Sequence, residues 1–333
     1  MLIILKNNIF IYILAFLISS IYAQTTQICD STANVTTNSG RYTFFPDVVA
    51  TDNSGYQCTD FTLADDTSTN STQFTTTFSW SGTEANTSTP HSFPSLALNL
   101  PSIFPIPISN ISLLPVTNNW ALYPGNPIST ISSTSVSLLT NASVIAACYL
   151  NLYLDLDPPT SQNTSLAASK IVIWQANYGN LLPLGYTSSP ATITRPSINL
   201  AGITYTLYTS QTSPTPTNTS WGMGTPLVPQ TVYTWYPNTN ITTLTAMDIS
   251  PLLNYLWREV YVDSKTYVGY MEWGLDARQS VGNVTWSVYE AGWNVRRGTP
   301  VKAVGGAARR RVLGRGEMLG LVGWALGCVV LFG

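Results

Sequence analysis

Short strand-like runs recur along this chain with turn residues between them, and many alternate polar with apolar or aromatic residues. They include RYTFF (41–45), QFTTTFSW (73–80), LALNL (96–100), SVIAACYLNLYL (143–154), KIVIW (170–174), ITYTLYT (203–209), QTVYTWYP (230–237), YVGYMEW (267–273) and NVTWSVYEAGW (283–293). Alternation with period two buries one face of a strand and wets the other, which is the pattern of antiparallel sheets. One stretch, 248–264, has a helical period instead. Asp248 or Ser250 caps it, Pro251 sits in its first turn, and Leu252, Leu253, Leu256 and Val260 form one stripe. One helix on many strands predicts an all-β fold, a β-jelly-roll sandwich of two antiparallel sheets with one short helix. The Thr-, Ser- and Pro-rich stretch 209–231 reads as a loop between strands, and Gly222, Met223 and Gly224 within it read as a turn.

The two ends read as address signals. Residues 1–23 carry Lys6, an apolar run from Ile9 to Ile21 and a small residue at Ala23, the three parts of a secretory signal peptide. Gly305, Gly306 and Ala307 open the other end. A polar spacer to Glu317 follows, then an apolar tail over 318–333, the layout of a GPI-anchor signal. Residues 24–297 remain as one large domain, with 298–317 as linker and spacer.

Charge excludes one large class of function. Only 9% of residues are charged and the net charge is −2, so the basic surface that nucleic acid requires is absent. Polarity comes from Ser, Thr and Asn. Nine N-x-[ST] sequons, at Asn34, Asn70, Asn86, Asn110, Asn141, Asn163, Asn218, Asn240 and Asn283, predict a glycosylated extracellular surface. Cys29 and Cys58 flank a strand–turn–strand segment and can pair in an oxidising compartment. Cys148 lies in an apolar run and reads as a buried free thiol, and Cys328 belongs to the tail. With His91 as the only histidine and no cysteine pair at ligand spacing, no metal and no cofactor is expected.

Several blocks, in order, resemble glycoside hydrolase family 12, secreted jelly-roll endo-β-1,4-glucanases and xyloglucanases. FSWSG (78–82), SFPSLALNL (92–100), ISNISLLPVTNNWAL (108–122), KIVIWQANYGNLLPLG (170–185), DISPLLNYLWRE (248–259) and MEWGLDA (271–277) look like successive family blocks, and Cys29 and Cys58 fall where the family has its N-terminal disulfide. The resemblance implies a cleft that takes β-1,4-glucan or xyloglucan, a monomer, and two carboxylates, a nucleophile and an acid/base, about 5–5.5 Å apart.

The nucleophile position is Lys170 and the acid/base position is Asp276. A protonated amine has no lone pair to attack with, and its charge opposes the oxocarbenium-like transition state. No register slip hides a carboxylate, because no Asp or Glu lies between Pro158 and Met247. Asp276 shortens the acid by one methylene, and misplacement by about 1 Å can cost on the order of 10²-fold. Asp155 stands at the position of the family's buttressing Asp, with a turn-facing role before Pro158 as the alternative. Residues 46–49 replace a block that carries a sugar-stacking Trp. Strand alternation puts Lys170, Val172 and Trp174 on one face of one strand, and Glu272 and Asp276 on one face of another.

The expectation is an ion pair between Lys170 and Asp276 or Asp155, the alternative being a lysine that snorkels to solvent. Trp174 and Trp120 are the candidates to stack on sugar. The leading reading is a GPI-anchored surface protein that binds β-glucan without cutting it. The alternatives are an active endoglucanase using Asp276 with Glu272 or Asp155, and a structural wall glycoprotein that kept only the fold.

Overall fold

Strand alternation sorts the side chains into one shared core and two outer faces. The computed structural model describes residues 24–29, 32–49, 55–65, 70–81, 90–127, 133–186, 195–212 and 227–300. The smaller sheet has six strands in the order β1 (Thr25–Ile28), β4 (Gly55–Thr62), β5 (Ser71–Trp80), β17 (Val284–Trp293), β9 (Pro115–Pro124) and β15 (Thr243–Asp248). The larger sheet runs β12 (Ser197–Leu200), β13 (Ile203–Thr212), β14 (Gln230–Pro237), β11 (Ser169–Tyr178), β10 (Ile145–Asp155), β16 (Tyr267–Gln279), β6 (Ser95–Leu98), β3 (Tyr42–Phe45) and β2 (Val35–Thr36), with β7 (Ile106–Pro107) paired to β16. β8 (Ile111–Leu113) and β18 (Arg296–Arg297) form a separate ribbon.

This is the expected all-β jelly roll, with two differences. The larger sheet is mixed. β11 and β14 pair in parallel, Lys170 opposite Val232 and Ile173 opposite Trp235. The chain crosses between them through the β12–β13 hairpin, a connection that local alternation does not encode. Among the described residues three α-helices stand where one was expected: α1 (Val136–Asn141), α2 (Pro158–Ser161) and α3 (Ser250–Arg258). α2 is a single turn made by Asp157, whose carboxylate accepts the Thr160 N–H, and by prolines in its first turn. α3 is shorter than the predicted 248–264. Its N-cap is Ile249, with no side-chain cap, in place of the expected Asp248 or Ser250; Asp248 accepts the Ser250 N–H beside it, and Leu252, Leu253 and Leu256 are buried. Val260 leaves the stripe: it has φ +63° and is 81% exposed. The expected 209–231 loop is trimmed at both ends, because β13 runs to Thr212 and β14 begins at Gln230, and the turn expected at 222–224 lies outside the described residues.

On β16 the core side takes Met271, Trp273, Leu275 and Ala277, and the opposite face carries Tyr270, Glu272, Gly274 and Asp276. β10 divides likewise into Cys148, Leu150 and Leu152 inside, and Tyr149, Asn151 and Tyr153 outside. Between the sheets Trp286 packs against Trp273 at 4.9 Å and Phe74 at 5.1 Å. Full burial of each such ring contributes about 2–3 kcal/mol. Cys148 is the expected buried free thiol.

Cys29 and Cys58 form a disulfide across the β1–β4 edge, closing a loop of sequence separation 29. Constraining a loop of that length stabilises by about 3.5 kcal/mol in the chain-entropy account. Replacing both cysteines with alanine should therefore lower the melting temperature, read by circular dichroism, with the remaining strands intact.

Among the described residues no helix is long and apolar enough to cross a membrane. Residues 1–23 and 301–333, read above as leader, spacer and anchor tail, lie outside the described residues, as do Asn86 and Asn218. Of the other sequon asparagines, Asn34, Asn70, Asn110, Asn141, Asn163 and Asn240 are exposed and Asn283 is half-buried.

Candidate functional site

The outer face of the larger sheet carries a second apolar cluster, separate from the core, made of Phe93, Ala147, Tyr149, Val172, Trp174 and Val232 with Leu181 and Tyr236 against it. Register explains it. Tyr149 pairs with Trp174 across β10–β11, and Val172 with Thr234 across β11–β14, so alternate residues of three strands share this face. Their rings form a continuous row. Phe93 stacks on Tyr149 at 5.2 Å, Tyr149 meets Trp174 at 5.5 Å, and Trp174 meets Tyr236 at 5.4 Å. Tyr208 and Tyr186 extend it toward solvent, with the Arg195 guanidinium 4.4 Å over the Tyr208 ring. Trp174 is thus on the face expected of it, though only 7% exposed. Trp120 is not. Alternation on β9 turns it into the core, 1% exposed and 6.4 Å from Trp286, so it is a packing residue and not the sugar-stacking ring the sequence suggests.

The polar end of this face centres on Glu272. It pairs with Asn151 across β10–β16 and is 3% exposed. Its Oε1 accepts from Asn151 Nδ2 at 3.0 Å and from the Tyr153 hydroxyl at 3.1 Å. Burial raises its pKa, while the Lys170 charge and these hydrogen bonds pull it back down. Lys170 lies opposite Tyr153, which lies opposite Tyr270. Glu272 is one two-residue step from that row and Asp276 is three. The carboxylate Lys170 feels most is accordingly Glu272, with Asp276 second, and burial still pushes the lysine pKa down overall.

The expected ion pair does not form. The Lys170 ammonium sits 5.3 Å over the Tyr153 ring. Asp276, 2% exposed, is held by Arg278 two residues on, with Nε to Oδ1 at 2.9 Å and Nη2 to Oδ2 at 2.8 Å. Asp155 buttresses no catalytic group. Its carboxylate accepts the Asp157 and Ala168 N–H groups, each at 2.9 Å, and closes the turn before α2. The sequence offered that role as the alternative, and the carboxylate is consumed by it.

One carboxylate at the site escaped the sequence reading. Asp47 follows β3 at φ +42°, and its carbonyl accepts the Phe93 N–H at 2.9 Å. Its carboxyl lies 3.5 Å from Ser95 Oγ. Burial, and then the charge of Glu272, push its pKa up to about 7. A carboxyl whose pKa is raised on folding stabilises the fold when protonated, below about pH 4, and loses that contribution as pH rises through 7. Asp47→Asn should therefore leave the melting temperature unchanged at pH 4 and raise it at pH 8, by the equivalent of about 2–4 kcal/mol at most. Nothing in the local sequence marks this Asp, because its neighbours come from β6 and β16.

No protein-family model matches the sequence, and no curated protein matches it. Solved structures do. Endoglucanase 3 of Trichoderma harzianum, from family GH12, superposes with a TM-score of 0.60 at 19% identity, over 83% of this chain and 99% of that one. The catalytic domain of Humicola grisea Cel12A, solved with a thio cellotetraose, gives 0.59 at 19% identity over 81% and 99%. A native family 12 xyloglucanase from Bacillus licheniformis gives 0.57 at 14% identity over 81% and 100%. At such identities the likeness is one of fold, spanning nearly the whole of each neighbour. The chain has the glycoside hydrolase family 12 fold.

Proposed function

We propose that the outer face of the larger sheet binds a β-1,4-linked glucan, cellulose-like or xyloglucan, and that the protein does not cut it by double displacement. The observation that carries the reading is the ring row, buried at Phe93 and Tyr149 and opening through Trp174 toward Tyr236 and Tyr208, with the buried polar group of Glu272, Asn151 and Tyr153 beside its Tyr149 end. Flat apolar rings suit the CH faces of glucosyl units, and the polar groups suit their hydroxyls. The fold neighbours are endoglucanases and a xyloglucanase, which fits the same substrate class. Lys170 supports the loss of double displacement. It offers a cation where the resemblance expects a carboxylate, with Glu272 one step away and already hydrogen-bonded. The exposed sequon asparagines support a secreted, glycosylated surface protein. The layout of residues 305–333 is what supports a GPI anchor, and the protein is proposed to act as a monomer.

Passage of the purified protein over xyloglucan and cellulose gels tests this. Retardation by either gel, relieved by soluble glucan, is the expected result. Free passage through both would leave a structural wall glycoprotein as the better description.

A further inference from the structure

We infer that Asp47 and Glu272 form a carboxyl pair that hydrolyses the bound glucan by single displacement, with Asp47 as the acid and Glu272 as the base. The inference rests on the glucan-binding reading above and goes beyond it. Neither residue matches the two carboxylate positions of the resemblance.

Backbone register brings the pair together. Asp47 leaves β3 just after Phe45, which pairs with Ser95, which pairs with Gly274. The Asp47 carboxyl turns back onto Ser95. Gly274 is the next residue after Glu272 on the same face of β16, one two-residue step of about 7 Å away. With Lys170 where the resemblance expects a nucleophile, the pair is left to work through a water, the requirement of inversion.

A second observation points to a ligand. Asn151 is fully buried, and its Nδ2 is spent on Glu272. Its Oδ1, on the same face, has no hydrogen-bond partner. A buried acceptor left open beside a carboxyl pair calls for a donor, and a sugar hydroxyl supplies one.

The surroundings divide the roles. The groups facing the pair are Tyr270 and Glu272 itself from β16, Tyr153 and Tyr149 from β10, Lys170 from β11, Ser95 from β6, and the Asp276–Arg278 pair further along β16. Lys170 acts on Glu272, favouring its ionised form. Asp47 feels the negative charge of Glu272 and keeps its proton to about pH 7. Burial raises both carboxyls, but Glu272 accepts two hydrogen bonds that favour its ionised form, whereas Asp47 has Ser95 Oγ at 3.5 Å, and this difference suits them to opposite duties.

In the step, the Asp47 carboxyl gives its proton to the glycosidic oxygen as the C1–O bond breaks, and that oxygen keeps the bonding electrons. A water oxygen forms the new C1–O bond from the opposite face, and its proton passes to the Glu272 carboxylate. Exchange with solvent then restores both groups. The ammonium of Lys170 opposes the positive charge growing at C1, so turnover is slow.

Reducing ends released from xyloglucan, mixed-linkage β-glucan and carboxymethyl-cellulose by the purified protein, between pH 4 and 9, test the inference. The expected result is slow release with a bell-shaped pH profile, an α-anomer as first product by proton NMR, and a loss of about 100-fold in both Asp47→Asn and Glu272→Gln. Retention without any release at any pH overturns the carboxyl pair and leaves the binding reading standing. A β-anomer, or release that survives both substitutions, also overturns it. A protein that neither binds nor cuts overturns both readings.

Discussion

Arg278→Ala is expected to lower the melting temperature by about 10 °C at neutral pH, corresponding to a loss of about 3–5 kcal/mol. Asp276 is 2% exposed, and Arg278 meets both of its oxygens. Removing the guanidinium strands a buried carboxylate whose other polar contact is the Tyr149 hydroxyl at 3.4 Å. Breaking such a pair costs more than the pair contributes, because the remaining charge has lost its water without compensation. The double variant Asp276→Asn with Arg278→Ala should recover much of the loss. Thermal melts of the two single variants and the double variant close the cycle and report the coupling directly. A small effect of Arg278→Ala alone would mean that Asp276 reaches water.

Trp174→Ala and Trp120→Ala are both expected to cost stability, but only the first is expected to weaken glucan binding. Trp174 sits in the ring row between Tyr149 and Tyr236, so its loss removes the middle of the surface offered to sugar. Glucan affinity should fall by roughly 10–100-fold, which is the scale of a central aromatic anchor in an interface. Trp120 packs between the sheets against Trp286. Its truncation should cost about 3–5 kcal/mol of stability and leave affinity per folded molecule unchanged. Tyr208→Ala separates binding from folding further. That ring is half-buried at the edge of the row, and its loss should weaken binding with little change in melting. Affinity electrophoresis in xyloglucan, run beside thermal melts, reads both quantities.

These two tryptophans also mark the limit of what the sequence carries. Period-two alternation was enough to predict the sandwich, the face shared by Lys170, Val172 and Trp174, and the face shared by Glu272 and Asp276. It says which residues of one strand travel together. It does not say which of the two faces meets the other sheet, so Trp120 and Trp174 looked alike until the sheets were stacked. Asp155 was ambiguous for a different reason. Its turn role depends on the backbone N–H groups of Asp157 and Ala168, the second of them thirteen residues away.

The charge arrangement was the least legible part. Lys170 has the right strand and the right face for a partner on β16, but a lysine can reach several places. Here its ammonium goes to the Tyr153 ring, while Asp276 takes the cation nearest in the chain. Arg278, two residues from Asp276 on an extended strand, was a local signal that could have been read. Asp47 had none, since every group that perturbs it is remote in sequence. The parallel β11–β14 pair was hidden in the same way, because it is fixed by a crossover and not by either strand's own pattern.

The central claim is that the outer face of the larger sheet is a glucan-binding surface. Titration calorimetry of the purified protein with cello- and xyloglucan oligosaccharides tests it most directly. Saturable binding to at least one of them, weakened in Trp174→Ala and retained in Lys170→Met, is the predicted result. Absence of binding to both by the folded wild-type protein, or binding indifferent to Trp174, would contradict it.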